Sequence, residues 1–408
     1  DLAQFRRWYA QAGTPVLECA EDFDATTGQY RLEIRQHTPP TPGQAEKAPL
    51  HIPFALGLLD ADGRDLPLVL ADEVGTADAA TGQITRVLEL RKPVETFIFT
   101  GLRERPVPSL LRNFSAPVQL CFPYSDADLS FLMAHDSDGF NRWDAAQTLA
   151  ERLLLSLVAE PELEIPDDFI QAFRRALTDQ QAEPALTAEV LTLPSEGYLG
   201  ERMTVVDVDG IHAARERLQR EIRFALGEDL RAVRAHLADV QPDDSSPAAA
   251  GARALANRCL AYLVKAGAPE DLAAAQAQYD AQRNMTEVLA ALQLLIEASG
   301  ADRALGDASS VFGADVAAGS TEQESGRAIQ RAVDDWGVPA LADFFQRWSK
   351  DPLVLDKWFA LQAQSARPDT LARVQVLLQH PNFALTNPNR VRALIGAFAM
   401  NNPVRFHA

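Results

Sequence analysis

Hydrophobic and polar positions alternate along the first third of the chain, which is the pattern of half-buried strands. Tyr30, Leu32 and Ile34 are separated by charged residues, and a period of two places such residues on one face of a sheet. Several short runs of this kind, divided by turn residues, predict an antiparallel β-sandwich over residues 1–124. Strands are predicted at Val16-Leu17, Ile52–Leu59, Leu66–Leu70, Arg86–Leu90, Thr96–Phe99 and Val118–Phe122, with turns at Asp60–Gly63 and at Pro106 and Pro108.

From about Ser125 the apolar residues recur at intervals of three and four, which is typical of amphipathic helices. Consecutive helices without intervening strands predict an all-α superhelical array of the HEAT or armadillo type over residues 125–408. Residues 300–326 are rich in Gly, Ala, Ser and Asp, so we expect a mobile insertion there. Helices are predicted at Asp144–Val158, Asp167–Leu177, Ala185–Leu191, Ile211–Leu226, Asp229–Leu237, Ala249–Val264, Leu272–Gln282, Thr286–Ala298, Ala340–Ser349 and Leu371–Leu378.

Composition narrows the classes of partner. The 408 residues are too many for one core, and 47% of them are apolar, so more than one soluble domain is expected. A formal net charge of -19 would repel nucleic-acid phosphates and anionic membrane surfaces. Three widely spaced cysteines without a CxxC pair suggest reduced thiols. The chain shows no leader-like start and no apolar run long enough to span a membrane. We therefore expect a cytoplasmic protein without nucleic-acid or membrane partners.

The sequence contains no recognisable catalytic or metal-binding motif. None of the seven histidines is followed by Glu, and no two of them stand four residues apart, which excludes the H-E-x-x-H zinc site. G-x-S-x-G, phosphate-binding Gly-Lys-Ser/Thr and G-x-G-x-x-G are absent too. The Asp60–Gly63 segment has its Gly in the wrong position for a calcium loop and suits a hairpin turn better. We therefore expect no catalytic residue, metal ligand or cofactor in this chain.

One local feature conflicts with the usual charge preference at the start of a helix. Within Thr386–Ile395, Asn387 suits the N-cap and Pro388 the first helical position. Arg390 and Arg392 then lie in the first turn and a half, where the helix dipole favours anions. Either they form a pocket for an anion such as a carboxylate, or they pair with acids of this acidic protein. The pattern alone favours ion pairs.

A series of short motifs runs in order from one end of the chain to the other. They are Phe5-Arg6-Arg7-Trp8-Tyr9, Gly13-Thr14-Pro15, Gln44-Ala45-Glu46-Lys47, Leu50-His51-Ile52-Pro53-Phe54, Phe114-Ser115-Ala116-Pro117-Val118, Phe140-Asn141-Arg142-Trp143-Asp144-Ala145-Ala146-Gln147, Asn284-Met285-Thr286, Asp356-Lys357-Trp358-Phe359 and Asn387–Phe398. The ordered set resembles the third and fourth domains of bacterial aminopeptidase N, or alanyl aminopeptidase, a gluzincin family of zinc metallopeptidases. Each motif alone is modest, whereas their common order is specific.

The resemblance implies an enzyme whose zinc lies in a catalytic domain outside this chain. In that family H-E-x-x-H with a distant Glu holds the zinc, and G-A-M-E-N binds the free amine of the peptide; neither motif occurs here. Relatives continue through further helices, so the helical domain is expected to be truncated at its C-terminal end. The implied partners are the protein's own N-terminal and catalytic domains and its peptide substrates, in a monomer.

The resemblance also gives the arginines a role. The helical domain of the family caps the catalytic cleft, and an arginine at the position of Arg392 is expected to face the enclosed chamber. Arg392, Arg390 and Asn389 are therefore the candidate residues lining a substrate chamber. The alternative is a freestanding scaffold in which a β-sandwich and helical repeats bind a protein partner. A coding sequence with H-E-x-x-H upstream of Asp1 would distinguish the two.

Overall fold

A computed structural model describes residues 2–73, 82–238, 241, 243–265, 267–299 and 338–408. The predicted mobile insertion at 300–326 lies outside the described residues. The strands are β1 (Val16–Asp24), β2 (Gln29–His37), β3 (Ile52–Leu59), β4 (Arg86–Leu90), β5 (Val94–Phe99), β6 (Val107–Leu110) and β7 (Gln119–Cys121). No strand follows β7 among the described residues.

The seven strands form two sheets that enclose one apolar core. A four-stranded sheet has the order β5-β2-β1-β7, and a three-stranded sheet has the order β4-β3-β6. Alternating residues of β2, including Tyr30 and Ile34, are buried in one cluster with Phe54 and Leu58 of β3. The predicted sandwich is confirmed, with one departure: β1 pairs with β7 in parallel, while the other pairs are antiparallel.

Two strand predictions were wrong. Leu66–Leu70 does not pair along its length with one strand. The Leu66 N–H donates to Leu58 O in β3, whereas the Leu68 N–H donates to Gln83 O, which lies outside the strands. Conversely, Val107–Leu110 is strand β6 although it contains Pro108. The strand lies at the edge of its sheet, where a residue without an N–H group is tolerated.

The second part of the chain is helical, as predicted, and one short helix precedes β1. The helices are α1 (Arg7–Ala10), α2 (Asp126–His135), α3 (Gly139–Ala159), α4 (Asp167–Thr178), α5 (Pro184–Val190), α6 (Glu196–Glu201), α7 (Val208–His236), α8 (Pro247–Val264), α9 (Pro269–Ala281), α10 (Met285–Ala298), α11 (Pro339–Trp348), α12 (Pro352–Ala363), α13 (Thr370–Leu377), α14 (Pro388–Val391), α15 (Ala397–Asn401) and α16 (Pro403–Phe406), with a π-helical turn at Arg392–Gly396. No helix among the described residues is long and apolar enough to cross a membrane.

The two helices predicted at Ile211–Leu226 and Asp229–Leu237 are one helix, α7. Gly227 stands at the expected break, but it is buried inside the helix. A Cβ at this position would overlap the guanidinium of Arg223. The glycine therefore provides space for a neighbouring side chain and does not end the helix, although it lowers local helix propensity.

Contacts divide the chain into two compact units. The first comprises Asp1–Ala150, Pro166–Ala182 and Glu189–Leu191, and the second comprises Glu151–Ile165, Glu183–Ala188 and Thr192–Ala408. The first unit therefore contains the sandwich together with α2, α4 and most of α3. The sequence pattern changes from strand to helix between β7 and α2, but the packing does not separate there.

A buried arginine explains why α2 and the start of α3 pack with the sandwich. Arg112 is 2% exposed, and its Nε donates to Ser109 Oγ at 2.8 Å. Its Nη2 forms ion pairs with Asp65 and, at 3.5 Å, with Asp136 directly after α2. Burial raises the pKa of Asp136 to about 6, although hydrogen bonds and the charge of Arg112 act in the opposite direction. The guanidinium lies against Gly57, where any Cβ would overlap it.

The segment after β6 carries unusual backbone angles. Leu111, Asn113 and Phe114 have φ of 60°, 54° and 48°, a region that L-residues with a Cβ rarely adopt. The Asn113 N–H donates to Asp138 Oδ2 at 3.0 Å, and Asn141 Nδ2 donates to Leu110 O at 2.9 Å. Groups at the α2–α3 junction therefore hold this strained segment in place.

Replacing Gly57 by Ala should destabilise the first unit by about 2 kcal/mol, because the new methyl group must displace a guanidinium that is fixed on several sides. Calorimetric unfolding of the chain measures this as a lower midpoint. Gly197→Ala is the matched control, since no atom lies within 4 Å of the added Cβ. Equal midpoints for the two variants would contradict the packing argument.

Candidate functional site

The helix that carries the candidate residues begins as the sequence predicts. Asn387 is the N-cap, and its side-chain oxygen accepts hydrogen bonds from the backbone N–H groups of Asn389 and Arg390 at 3.1 and 3.3 Å. Pro388 occupies the first helical position, where its missing N–H costs nothing. The cap fixes the direction in which Arg390 and the residues after it leave the helix axis.

Arg390 points into the core of the second unit. It is 5% exposed, and its Nε lies 3.3 Å from Asp356 Oδ1 of α12. Its guanidinium carbon stands 5.0 Å from the centre of the Phe359 ring, a cation–π arrangement. Burial lowers the pKa of Arg390, and the charge of Asp356 acts against this shift. One of the two predicted arginines therefore forms the ion pair that the alternative interpretation required.

Arg390 also acts on a buried histidine. The ring of His380 lies among aromatic rings, with centroid distances of 5.3 Å to Phe345, 5.4 Å to Trp358 and 5.7 Å to Phe359. Burial lowers the pKa of His380 to about 4, and the Arg390 charge adds to the effect. His380 is therefore neutral at pH 7, and its Nδ1 accepts the Asn382 N–H at 3.1 Å.

Arg392 faces solvent. It begins the π-helical turn Arg392–Gly396 and is exposed, as is Asn389. The Nη1 atom of Arg392 lies 3.5 Å from Asn389 Oδ1, a distance at which a hydrogen bond is weak. Within the ranges that the structure describes, no carboxylate forms an ion pair with Arg392. Its donors are therefore open to an external anion.

The structure does not bring the two arginines together. Residues two apart in a helix point about 200° away from each other, so Arg390 is buried while Arg392 is exposed. The predicted chamber-lining set is thus reduced at the surface to Arg392 and Asn389. That these two residues face a substrate chamber stays a prediction.

Asp356 and Phe359 were not assigned a role from the sequence. They stand three residues apart in α12, a spacing that places two side chains on the same face of a helix. No helix was predicted there, although Asp351 and Pro352, its N-cap and first position, are a recognisable signal for the start of a helix. The long-range partner of this face, Arg390, was not visible in the sequence.

The described residues hold no cluster of three or more His, Cys, Asp or Glu side chains that could bind a metal ion. Asp60–Gly63 forms the turn expected for a hairpin connection, with the Gly63 N–H donating to Asp60 O at 3.0 Å. The chemistry available at the candidate site is therefore that of an exposed guanidinium beside an amide.

The architecture defines the class: an immunoglobulin-like sandwich followed by armadillo-type helical repeats. Residues 13–123 match the family described as a domain of unknown function, DUF3458, with an Ig-like fold. Residues 126–315 and 323–408 match its companion, DUF3458_C, described as ARM repeats. The chain belongs to this family.

Named relatives align with the chain from end to end. Aminopeptidase N of Escherichia coli K12 is 37% identical over 416 residues, and aminopeptidase N of Caulobacter vibrioides is 38% identical over 408 residues. Each alignment covers 100% of this chain and 42% of the relative. The crystal structure of Legionella pneumophila aminopeptidase A in complex with aspartic acid superposes with a TM-score of 0.75 at 27% identity, again over 100% of this chain and 42% of that one. The chain thus spans about two-fifths of the length of these relatives.

Arg390→Ala should lower the free energy of unfolding of the second unit by about 3 kcal/mol, because Asp356 loses its partner and Phe359 its packing. Arg392→Ala should change it by less than about 0.5 kcal/mol, since the side chain is exposed and forms no ion pair among the described residues. Chemical denaturation and calorimetric unfolding each measure both changes in stability. Adding Asp356→Ala to Arg390→Ala should cost less than the sum of the single changes. Equal losses for the two arginine variants would refute this division of roles.

Proposed function

We propose that this chain is the non-catalytic part of a zinc-dependent aminopeptidase that removes N-terminal amino acids from peptides. The observation that carries the proposal is the end-to-end alignment with proteins named aminopeptidase N at 37% and 38% identity. The chain accounts for 42% of each relative, which leaves room for a separate catalytic domain. No observation favours the freestanding scaffold over this function.

In the proposed enzyme the zinc and its ligands belong to the catalytic domain, and this chain shapes access to them. A wall of packed helices around an active site excludes water and large substrates and holds short peptides near the reacting groups. The proposed partners are the enzyme's own N-terminal and catalytic domains and its peptide substrates. We place the enzyme in the cytoplasm as a monomer, in line with the negative charge of -19 and with three free cysteines.

Arg392 is the residue we propose to contact substrate. Its exposed guanidinium has no carboxylate partner among the described residues, and a charged donor of this kind suits the free carboxylate of a peptide. Asn389, 3.5 Å away, can supply a second polar contact. Arg390 contributes indirectly, because its ion pair with Asp356 secures the helix from which Arg392 projects.

The purified chain alone should hold no stoichiometric zinc and release no product from amino-acid amides, because its sequence carries neither H-E-x-x-H nor G-A-M-E-N. Metal analysis and an amide-hydrolysis assay check this. The full-length protein, whose coding sequence should place H-E-x-x-H ahead of this region, is the positive control. The proposal would be refuted by about one tightly bound zinc ion per molecule of the purified chain, or by a full-length gene that lacks H-E-x-x-H.

In the intact enzyme, Arg392→Ala should reduce kcat/KM for peptides with a free C-terminal carboxylate by roughly ten- to a hundredfold, the loss of one charge-assisted contact. Hydrolysis of neutral amino-acid amides should change little, since they lack that charge. Arg347→Ala is the matched control: Arg347 is also an exposed helical arginine, but it pairs with Asp343.

The comparison between the two substrate classes decides the role of Arg392. Partial recovery by Arg392→Lys, which restores the charge without the planar guanidinium, would support the carboxylate contact. Equal kinetic losses on peptides and amides, or a large loss of thermal stability, would make Arg392 a structural residue instead.

A further inference from the structure

A groove of about 440 Å³ lies between α2 and α4 of the first unit. Ala127, Phe131, Ala134 and Ala172 form its apolar lining, and the other lining side chains are polar. This volume falls within the range of sites for small organic ligands. All the lining residues belong to a single compact unit, so the groove is complete within that unit.

One end of the groove gathers positive charge. Arg174, Arg175 and His135 all line it, in a chain whose formal net charge is -19. Arg174 donates to Gln171 Oε1 at 2.9 Å. Arg175 has no hydrogen-bond or ion-pair partner among the described residues, although it lies in the last turn of α4, where the helix dipole favours a cation. Its N–H donors remain available.

His135 lies near two positively charged side chains. Burial lowers the pKa of His135, and the charges of Arg175 and then Arg142 lower it further. Arg142 is already engaged, because its Nη2 donates to Asp179 Oδ2 at 2.8 Å. The imidazole stacks on Phe131 at 4.7 Å between ring centres. It is held from behind by Gly63, where any Cβ would overlap the ring.

Among the described residues, Asp168 is the only carboxylate that lines the groove, and it lies in the first turn of α4. Arg175 follows it seven positions later in the helix, which corresponds to about 10 Å along the axis. The acidic and basic ends of the groove are therefore apart. An anion is therefore attracted to the basic end of the groove, at a distance from the repulsion of Asp168.

We propose that the α2–α4 groove binds a small organic monocarboxylate with an apolar body. The carboxylate accepts hydrogen bonds from the Arg175 guanidinium and from a ring N–H group of His135. The apolar body covers Phe131 and the alanines that line the groove. A guanidinium matches the two oxygens of a carboxylate in one plane. Apolar contact provides the remaining affinity. This site is independent of the peptidase function proposed above.

The test uses the full chain labelled with ¹³C at histidine and 3-phenylpropanoate as the probe, with the His135 ring resonance assigned through His135→Gln. The probe should shift this resonance saturably, with a dissociation constant of about 1 mM or below. Its neutral amide, 3-phenylpropanamide, should bind at least about tenfold more weakly, because it cannot form the charged pair. Inorganic phosphate at equal ionic strength should also bind more weakly than the probe, because it has no apolar body to contact the groove.

Two variants locate the contact. Arg175→Gln should weaken 3-phenylpropanoate binding by about tenfold or more, whereas Arg347→Gln, which removes the same charge from α11, should leave it unchanged. The proposal is overturned if amide and carboxylate bind equally, if phosphate binds more tightly than the probe, if Arg175→Gln binds like the parent chain, or if His135 shows no saturable shift up to about 20 mM. The comparison of amide with carboxylate on the parent chain decides the matter even if Arg175→Gln fails to fold.

Discussion

The guanidinium of Arg112 lies flat against the backbone of Gly57 and is shared between Asp65 and Asp136. Burying one cation with two carboxylates is costly unless every donor is used, and Arg112 also donates to Ser109 and Thr85. The raised pKa of Asp136 shows that part of this cost remains. What the network provides is a fixed geometry: it ties β3, the segment after β6 and the end of α2 together, and it holds in place a backbone that would otherwise relax.

The second unit also buries an arginine, and there aromatic rings pack around it. Arg390 is buried against Asp356 and the face of Phe359, and His380 stays neutral beside it. A neutral histidine avoids a second positive charge in a low-dielectric core, so the aromatic cluster can close around it. The same helix then exposes Arg392 to solvent. A rigid, buried arginine thereby supports a free one, which is the arrangement expected when an exposed side chain must keep its direction.

The relation to the aminopeptidases follows from architecture and alignment, not from chemistry in this chain. Both family models and the named relatives extend over its length, yet the described residues contain no metal-ligand cluster. A fold of this kind does not by itself define a function, which has to be argued from the side chains that it presents. Arg392 and, in the other unit, Arg175 are exposed and have no carboxylate partner among the described residues, and these two arginines carry the functional proposals.

The sequence by itself determined that a part rich in strands is followed by a helical part, because a change of hydrophobic period from two to about 3.6 reflects local geometry alone. It also determined the N-cap at Asn387 and the boundaries of β3, where every signal lies within a few residues. It could not determine that Pro108 lies in an edge strand or that the amides of Leu66–Leu70 donate to different segments of the chain. Nor could it determine that Arg390 forms an ion pair with Asp356. These outcomes depend on partners far away in the chain, and a side chain's burial and charge state follow from those partners. Only the tertiary structure could decide which of two neighbouring arginines is buried and which is free.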